Sequence, residues 1–538
     1  MRTLWKDYGR CKYIKKERSI IINKLNLKGF HIFEVPFFII MRILIISFLF
    51  FSSSIFASFQ MNERMQQSYL HIINLEFEAA NNLLRIEKKE TPDNGIIVLH
   101  QNYIDFLTII IGEDKTFFTI AKEKKSERID LIQTGDKNSP YYLYAQAEIH
   151  LQWAFSRLKF EQYSTAAYEF IKAYNLLERN QEKFPDFTLN NKGLGLIHAL
   201  LGVVPKEFHW ILNLAGLKGS VALGLSELDA VLNDNSFVMY EDEVMFLLSF
   251  LQINLGNNDA LCQKYLDRIG DGYQDNLLLN FAAARLAHNL GQNDYCLRVL
   301  NNKPNNSGII KFHYLDYLQG LSYLYMLDYK NAEQKFEYFL ANFRGVNYIK
   351  SANHKLAWIA FLQNNREKQF TYLQRVISNG STSIDEDKVA LKDAQRNHIA
   401  QPVLLKARLL YDGGYYSLAL LELNQIEGSG VQGYQGDQYF SSETNEIEYW
   451  YRLARVESKL NNSEKVIIAH YKKALEKGQN SSSYYAPMSA LQIGLLYEKK
   501  NDSKQGKFYF NKCLSMSGFD YERGIHQKAK AGLDRISN

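Results

Sequence analysis

The residues best placed by type and spacing to do chemistry are the glycines of Gly428-Ser429-Gly430-Val431-Gln432-Gly433. A Gly-x-Gly-x-x-Gly turn lets a backbone approach a pyrophosphate, but only between a strand and a helix start. Here a helical pattern precedes it, and Tyr434-Gln435-Gly436-Asp437 continues the loop, so the motif reads as an ordinary loop. The histidines, from His71 and His100 to His470, show no metal-ligand spacing. There is no His-Glu-x-x-His, no phosphate-binding loop ending in Gly-Lys-Ser/Thr, and no Gly-x-Ser-x-Gly elbow. The acidic triplets Glu241-Asp242-Glu243 and Asp385-Glu386-Asp387 suit helix starts, where negative charge meets the helix dipole. Their spacing is not that of an EF-hand. The sequence therefore predicts no catalytic residue, no cofactor and no metal.

Cys262, Cys296 and Cys513 lie downstream of the N-terminal segment, too scattered for a disulfide framework or a zinc site. They read as small buried apolar groups, with a Cys262–Cys296 bridge as the alternative. The net charge of +5 belongs to the N-terminus. Setting aside the nine basic and three acidic residues of positions 1–40, and Arg42, leaves 53 basic against 55 acidic. The body has no electrostatic reason to bind nucleic acid.

Met41-Arg42 leads into Ile43-Leu44-Ile45-Ile46-Ser47-Phe48-Leu49-Phe50-Phe51 and then Ser52-Ser53-Ser54-Ile55-Phe56-Ala57. A basic start, an apolar run and a small-residue tail are the parts of a secretory signal peptide, cut here after Ala57. Residues 1–40 then read as an upstream extension or basic leader and 41–57 as the signal. The alternative is an uncleaved anchor over 37–57, just long enough to span a bilayer.

From Met61 onward the apolar spacing is helical, as in Leu143, Ala147, Leu151, Ala154 and Leu158. The pattern also repeats. Gly320, Tyr323, Ala332 and Phe336 have the same spacing as Gly494, Tyr497, Gly506 and Phe510. Weaker copies centre on Ala154, Ala407 and Ala454, and the copy at Ala357 carries Gln369 where a small residue is expected. Leu255-Gly256-Asn257-Asn258-Asp259 recurs as Leu290-Gly291-Gln292-Asn293-Asp294. Gly and Asn tolerate the left-handed backbone that ends a helix, and Asn or Asp caps the next. The unit is similar to the tetratricopeptide repeat, a helix–turn–helix of ~34 residues. The fold class follows: an all-α, right-handed helix–turn–helix solenoid with a Gly-rich helical hairpin inserted.

The insert runs Lys192-Gly193-Leu194-Gly195, through Gly202-Val203-Val204-Pro205, to Ala215-Gly216-Leu217-Lys218-Gly219 and Gly224-Leu225. This pattern resembles the tetratricopeptide-repeat 39 / inclusion-body-clearance family, with Ser220-Val221 where the family pattern has an acidic–basic pair. The resemblance implies an adaptor or scaffold without enzymatic chemistry. The domains expected are an N-terminal helical region over 58–190, the hairpin over 191–232, and C-terminal repeats over 233–538. The glycines read as letting two backbones approach closely. A membrane-inserting hairpin is the alternative, although each half is shorter than a ~20-residue span.

Stacked helix pairs expose an extended concave face built by the first helix of each unit. By resemblance to tetratricopeptide repeats, that face would carry Tyr314, Tyr317, Leu321 and Tyr325, then Arg408 and Tyr411, then Tyr451 and Arg455. Tyr and Arg are enriched at binding hot spots. Some of these tyrosines could instead fill the space between repeats. The expected function is a non-catalytic, exported scaffold of the bacterial envelope that binds a protein or peptide and no nucleic acid. The alternative is a peripheral membrane adaptor acting through the Gly-rich hairpin.

Overall fold

The computed structural model describes residues 58–202, 216–256, 258–305, 308–396, 401–428 and 443–536. The expected leader, signal and alternative anchor, the hairpin tip at 203–215 and most of the Gly428–Gly433 loop lie outside the described residues.

Among the described residues the regular structure is helical, with no strand. The first helices are α1 (Glu63–Ile73), α2 (Phe77–Glu90), α3 (Gly95–Gly112), α4 (Lys115–Gln133), α5 (Pro140–Lys159) and α6 (Tyr163–Lys183). The glycine-rich pair follows as α7 (Asn190–Leu201) and α8 (Val221–Leu232). Then come α9 (Glu241–Leu255), α10 (Asp259–Ile269), α11 (Leu277–Asn289), α12 (Asn293–Asn301), α13 (Tyr314–Tyr325) and α14 (Tyr329–Asn342). The chain continues with α15 (Ile349–Leu362), α16 (Arg366–Ser378), α17 (Asp385–Arg396), α18 (Pro402–Asp412) and α19 (Tyr416–Gly428). It closes with α20 (Glu443–Lys459), α21 (Glu464–Lys477), α22 (Tyr485–Lys499), α23 (Ser503–Leu514) and α24 (Glu522–Arg535). Consecutive helices form antiparallel pairs, and each pair packs on the next, as in a tetratricopeptide-like solenoid.

The repeat glycines do one job in both close copies. A Cβ on Gly320 would lie 2.8 Å from the Phe336 ring, and one on Gly494 would lie 2.6 Å from the Phe510 ring. Each glycine opens a seat on a first helix for the phenylalanine of the second. Both phenylalanines are fully buried.

The turns follow sequence chemistry with one difference. Gly291, Asn364 and Asn461 adopt left-handed backbone, and Asn258, Asp328, Asn365 and Asp502 cap the helices that follow. Gly256 has φ −81°, outside the left-handed region. Its role is spatial, because a Cβ there would strike the Gln252 amide, which donates to the Asn258 carbonyl at 3.2 Å.

In the glycine-rich pair, α7 and α8 approach backbone to backbone. A Cβ on Gly224 would lie 2.2 Å from the Gly195 carbonyl oxygen, and one on Gly219 would lie 2.5 Å from that of His198. Ser220 caps α8 by accepting from the Leu223 N–H at 3.1 Å. The imidazole of His198 on α7 meets Glu227 on α8 at 2.6 Å.

Helix α3 is apolar and 18 residues long, enough by composition to cross a membrane. Its position is that of a core helix, with Ile96, Leu99, Tyr103 and Ile109 buried. Its Asn102, Tyr103 and Asp105 make polar contacts with α4 and α5.

One apolar core runs from Met65 to Leu409, and two further clusters carry the packing on to Ala529. Cys262, Cys296 and Cys513 are buried and unbridged. Burial pushes the Cys296 and Cys513 thiols up to about 12, so they stay neutral packing groups. Three contacts join segments far apart in the chain. Ile310 N–H donates to the Leu75 carbonyl at 3.0 Å. The Glu113 carboxylate accepts from Val346 N–H at 3.2 Å and Asn347 N–H at 2.9 Å. Asn293 donates to the Tyr415 hydroxyl, 122 residues away, at 3.1 Å.

Candidate functional site: a cationic, aromatic face

First helices α11, α13, α15, α18, α20 and α22 bring their aromatic and cationic side chains to one region. At one end Arg285, Tyr314 and Tyr348 line a pocket of about 130 Å³ with Phe246, Phe250 and Phe281. Tyr314 stacks on Tyr317, with ring centres 5.6 Å apart, and meets Tyr348 at 4.5 Å. Further along, the Lys355 ammonium lies 3.6 Å from the centre of the Trp358 ring, and the Arg408 guanidinium lies 4.9 Å from the same ring. The Arg455 guanidinium lies 4.0 Å from the Tyr411 ring and 5.5 Å from the Tyr451 ring. Tyr484, Tyr485 and Tyr521 close the far end.

Charge pairing in this region is incomplete. Arg452 is locked to Glu448 one helical turn away, with both side chains buried. Arg408 meets Asp412 at 3.7 Å. Among the described residues Arg285, Lys355 and Arg455 have no carboxylate partner within ion-pair distance. Burial, reinforced by the neighbouring Arg408 charge and only partly offset by Asp393, Asp412 and Glu386, lowers the Lys355 ammonium to about 7. Burial, Lys355 and Arg408 together hold the adjacent His354 well below its ordinary value, so it stays neutral.

The eight residues expected on this face separate into two groups. Tyr317, Tyr451 and Leu321 are buried, at 2%, 3% and 8% exposure. The Tyr317 hydroxyl meets Ser351 Oγ at 2.8 Å, and its ring packs between Phe336 and Phe339. These three fill the space between repeats. Tyr314, Tyr325, Arg408, Tyr411 and Arg455 are half-buried and remain on the face. Sequence reasoning missed Arg285, Lys355 and Trp358. The signal for the last two was a Lys-x-x-Trp step on a first helix, masked by the degenerate copy around Ala357. Asp387, read only as part of an acidic triplet, accepts from the N–H groups of Tyr348 at 2.7 Å and Ser351 at 2.8 Å and so caps α15 from another helix. Among the described residues no group of His, Cys, Asp and Glu could hold a metal ion.

Residues 188–344 match the family model described as Iml2/Tetratricopeptide repeat protein 39. The matched span contains the glycine-rich pair and the helix pairs through α14. Among solved structures the chain is similar to a chain titled "Crystal structure of APC/C hetero-tetramer Cut9-Hcn1" at 11% identity. That alignment covers 93% of this chain and 99% of the other, with a TM-score of 0.22. No curated protein matches.

Proposed function

We propose that the chain is a non-catalytic repeat scaffold that holds an extended, acidic protein segment against the Arg285–Lys355–Arg455 face. The observation that carries this reading is the set of three cations without carboxylate partners, two of them seated on aromatic rings. Rings hold a cation in place without neutralising it, each contact being worth about 0.5–2 kcal/mol depending on desolvation. Such cations stay available to a carboxylate from outside. Tyr314, Tyr325 and Tyr411 supply flat apolar area beside them. In keeping with the N-terminal pattern, we place the protein in a bacterial envelope after cleavage at Ala57.

Cross-linking of residues 58–538 to proteins of an envelope extract, followed by mass spectrometry, tests the binding half. Cross-links should map to 285–455 on this chain and to Asp/Glu-rich segments of its partners, and Arg285→Ala with Arg455→Ala should remove them. Cross-links confined to the glycine-rich pair, with flotation on liposomes in the absence of protein, would favour the membrane-adaptor reading instead. N-terminal sequencing of the mature protein tests the export half; a start at Ser58 is expected, and a start at Met1 or Met41 counts against it.

A further inference from the structure

Arg285, the first of the three unpartnered cations, lines a pocket of about 130 Å³ walled by rings. Phe250 and Phe246, one turn apart on α9, have ring centres 6.5 Å apart. Phe246 meets Phe281 at 5.9 Å, Phe281 meets Tyr314 at 5.8 Å, and Tyr314 meets Tyr348 at 4.5 Å. The rings form one unbroken row, and Phe250 keeps 38% of its surface exposed. An apolar cavity of roughly 150 Å³ in another protein takes benzene. This pocket is thus the size of one phenyl group, and its walls offer another ring edge-to-face contacts.

The row is completed against the preference of the backbone. Tyr348 has φ +65°, a left-handed conformation that few non-glycine residues adopt. The Asp387 carboxylate helps to hold it there by accepting from its N–H at 2.7 Å.

Phe246 and Phe250 also line the neighbouring apolar cavity between α3, α5, α7 and α9. The cation of that cavity, Lys192, is already held between Glu148 at 2.9 Å and Glu243 at 3.0 Å. It has no charge left for a ligand, whereas Arg285 has no carboxylate within ion-pair distance among the described residues. Arg285 stands one turn from Phe281 on α11, and both line the same pocket. A planar guanidinium beside an apolar hole suits a molecule that brings a carboxylate and a ring together. In an extended chain, side chains two residues apart point to one face, roughly 7 Å from each other. A segment lying on this face therefore presents a ring to the pocket and a carboxylate to Arg285 when one residue separates them.

We infer that the acidic segment is anchored by one aromatic side chain seated in this pocket, with a Glu or Asp two residues away paired to Arg285. This inference rests on the reading of the face given above and deepens it: the partner carries an aromatic–x–acidic step, not acidic charge alone.

Fluorescence anisotropy of the full chain with labelled peptides tests it. The reference peptide is Glu-Ser-Glu-Ser-Phe-Ser-Glu. It should bind about tenfold or more tighter than the same peptide with Ala for Phe. Replacing each Glu by Gln should weaken it by at least as much, and the shifted peptide Glu-Ser-Glu-Phe-Ser-Ser-Glu should lose most of the gain from Phe. Asn254→Trp, at an exposed position lining the pocket, should bring the Phe peptide down to the level of the Ala peptide and leave the Ala peptide unchanged. Phe250→Ala, which removes one wall, should also shrink the difference and serves if the first variant does not fold by circular dichroism. Equal binding of the Phe and Ala peptides, both tighter than the Gln peptide, overturns this inference and leaves the acidic-face reading standing. Failure of every Glu-containing peptide to bind overturns both. A Gln peptide as tight as the reference, a shifted peptide as tight as the reference, or an undiminished Phe preference in a folded variant would each overturn the inference. If neither variant folds, the ranking of the peptides on the native chain decides.

Discussion

Gly291 and Gly414 meet backbone to backbone: a Cβ on Gly414 would lie 1.7 Å from the Gly291 carbonyl oxygen. Both have left-handed backbone, with φ +70° and +84°. Beside them Tyr415 donates to Asp294 at 2.5 Å and accepts from Asn293 at 3.1 Å. The turn of the α11–α12 pair therefore seats against the turn of the α18–α19 pair.

Gly414→Ala should destabilise the chain by about 2 kcal/mol or more, since the substitution adds both a backbone collision and left-handed strain. Urea unfolding measures the loss. Hydrogen exchange should speed up at both turns, and acceleration at residue 414 alone would show that the contact contributes little.

Gly320→Ala and Gly494→Ala should each cost about 1–3 kcal/mol, because the new methyl meets Phe336 or Phe510 below 3 Å. Gly524→Ala, on α24 with nothing within 4 Å, should be neutral or stabilise by up to about 1 kcal/mol. Equal losses at all three sites would dismiss the packing role of the repeat glycines.

Lys355 sets a pH dependence. Its pKa in the folded chain, about 7, lies below the ordinary lysine value of 10.5. Between these values the unfolded chain binds the proton more readily, so stability rises as pH rises through that window. Lys355→Met should remove the slope between pH 7 and 9.5, measured by thermal unfolding at several pH values. Over the same range the affinity for an acidic peptide should fall as Lys355 loses its charge, and in the variant it should stay flat.

Tyr317→Ala should cost about 3–5 kcal/mol, the range for emptying a buried aromatic site. Arg455→Ala should change stability by no more than about 1 kcal/mol while weakening capture of acidic segments. Chemical denaturation and a binding assay on both variants separate packing from recognition, and the opposite ranking would place Arg455 in the core.

The helix pairs were legible because glycine and phenylalanine recur at fixed steps, and that spacing is itself the packing rule between two helices. Which of the tyrosines stay half-exposed and which are sealed between repeats was not legible. Tyr314 and Tyr317 lie on one helix three residues apart, yet Tyr317 is sealed by Phe336, Phe339 and Ser351, which come from other segments. Lys355 and Trp358 escaped notice because their importance comes from Arg408, half a hundred residues on, sharing the same ring. The Glu148–Lys192–Glu243 cluster joins three helices far apart in sequence, and no local pattern announces such a meeting.

Arrays whose units touch only their immediate neighbours unravel one unit at a time. The grip of Glu113 on the backbone of Val346 and Asn347 reaches across more than two hundred residues and sets this chain apart from that behaviour. Loss of the early helices would strand two amide hydrogens in the middle of the molecule, and the later repeats would feel it at once. The stretch from α3 to the start of α15 is therefore expected to come apart in a single concerted step rather than as a string of interchangeable parts.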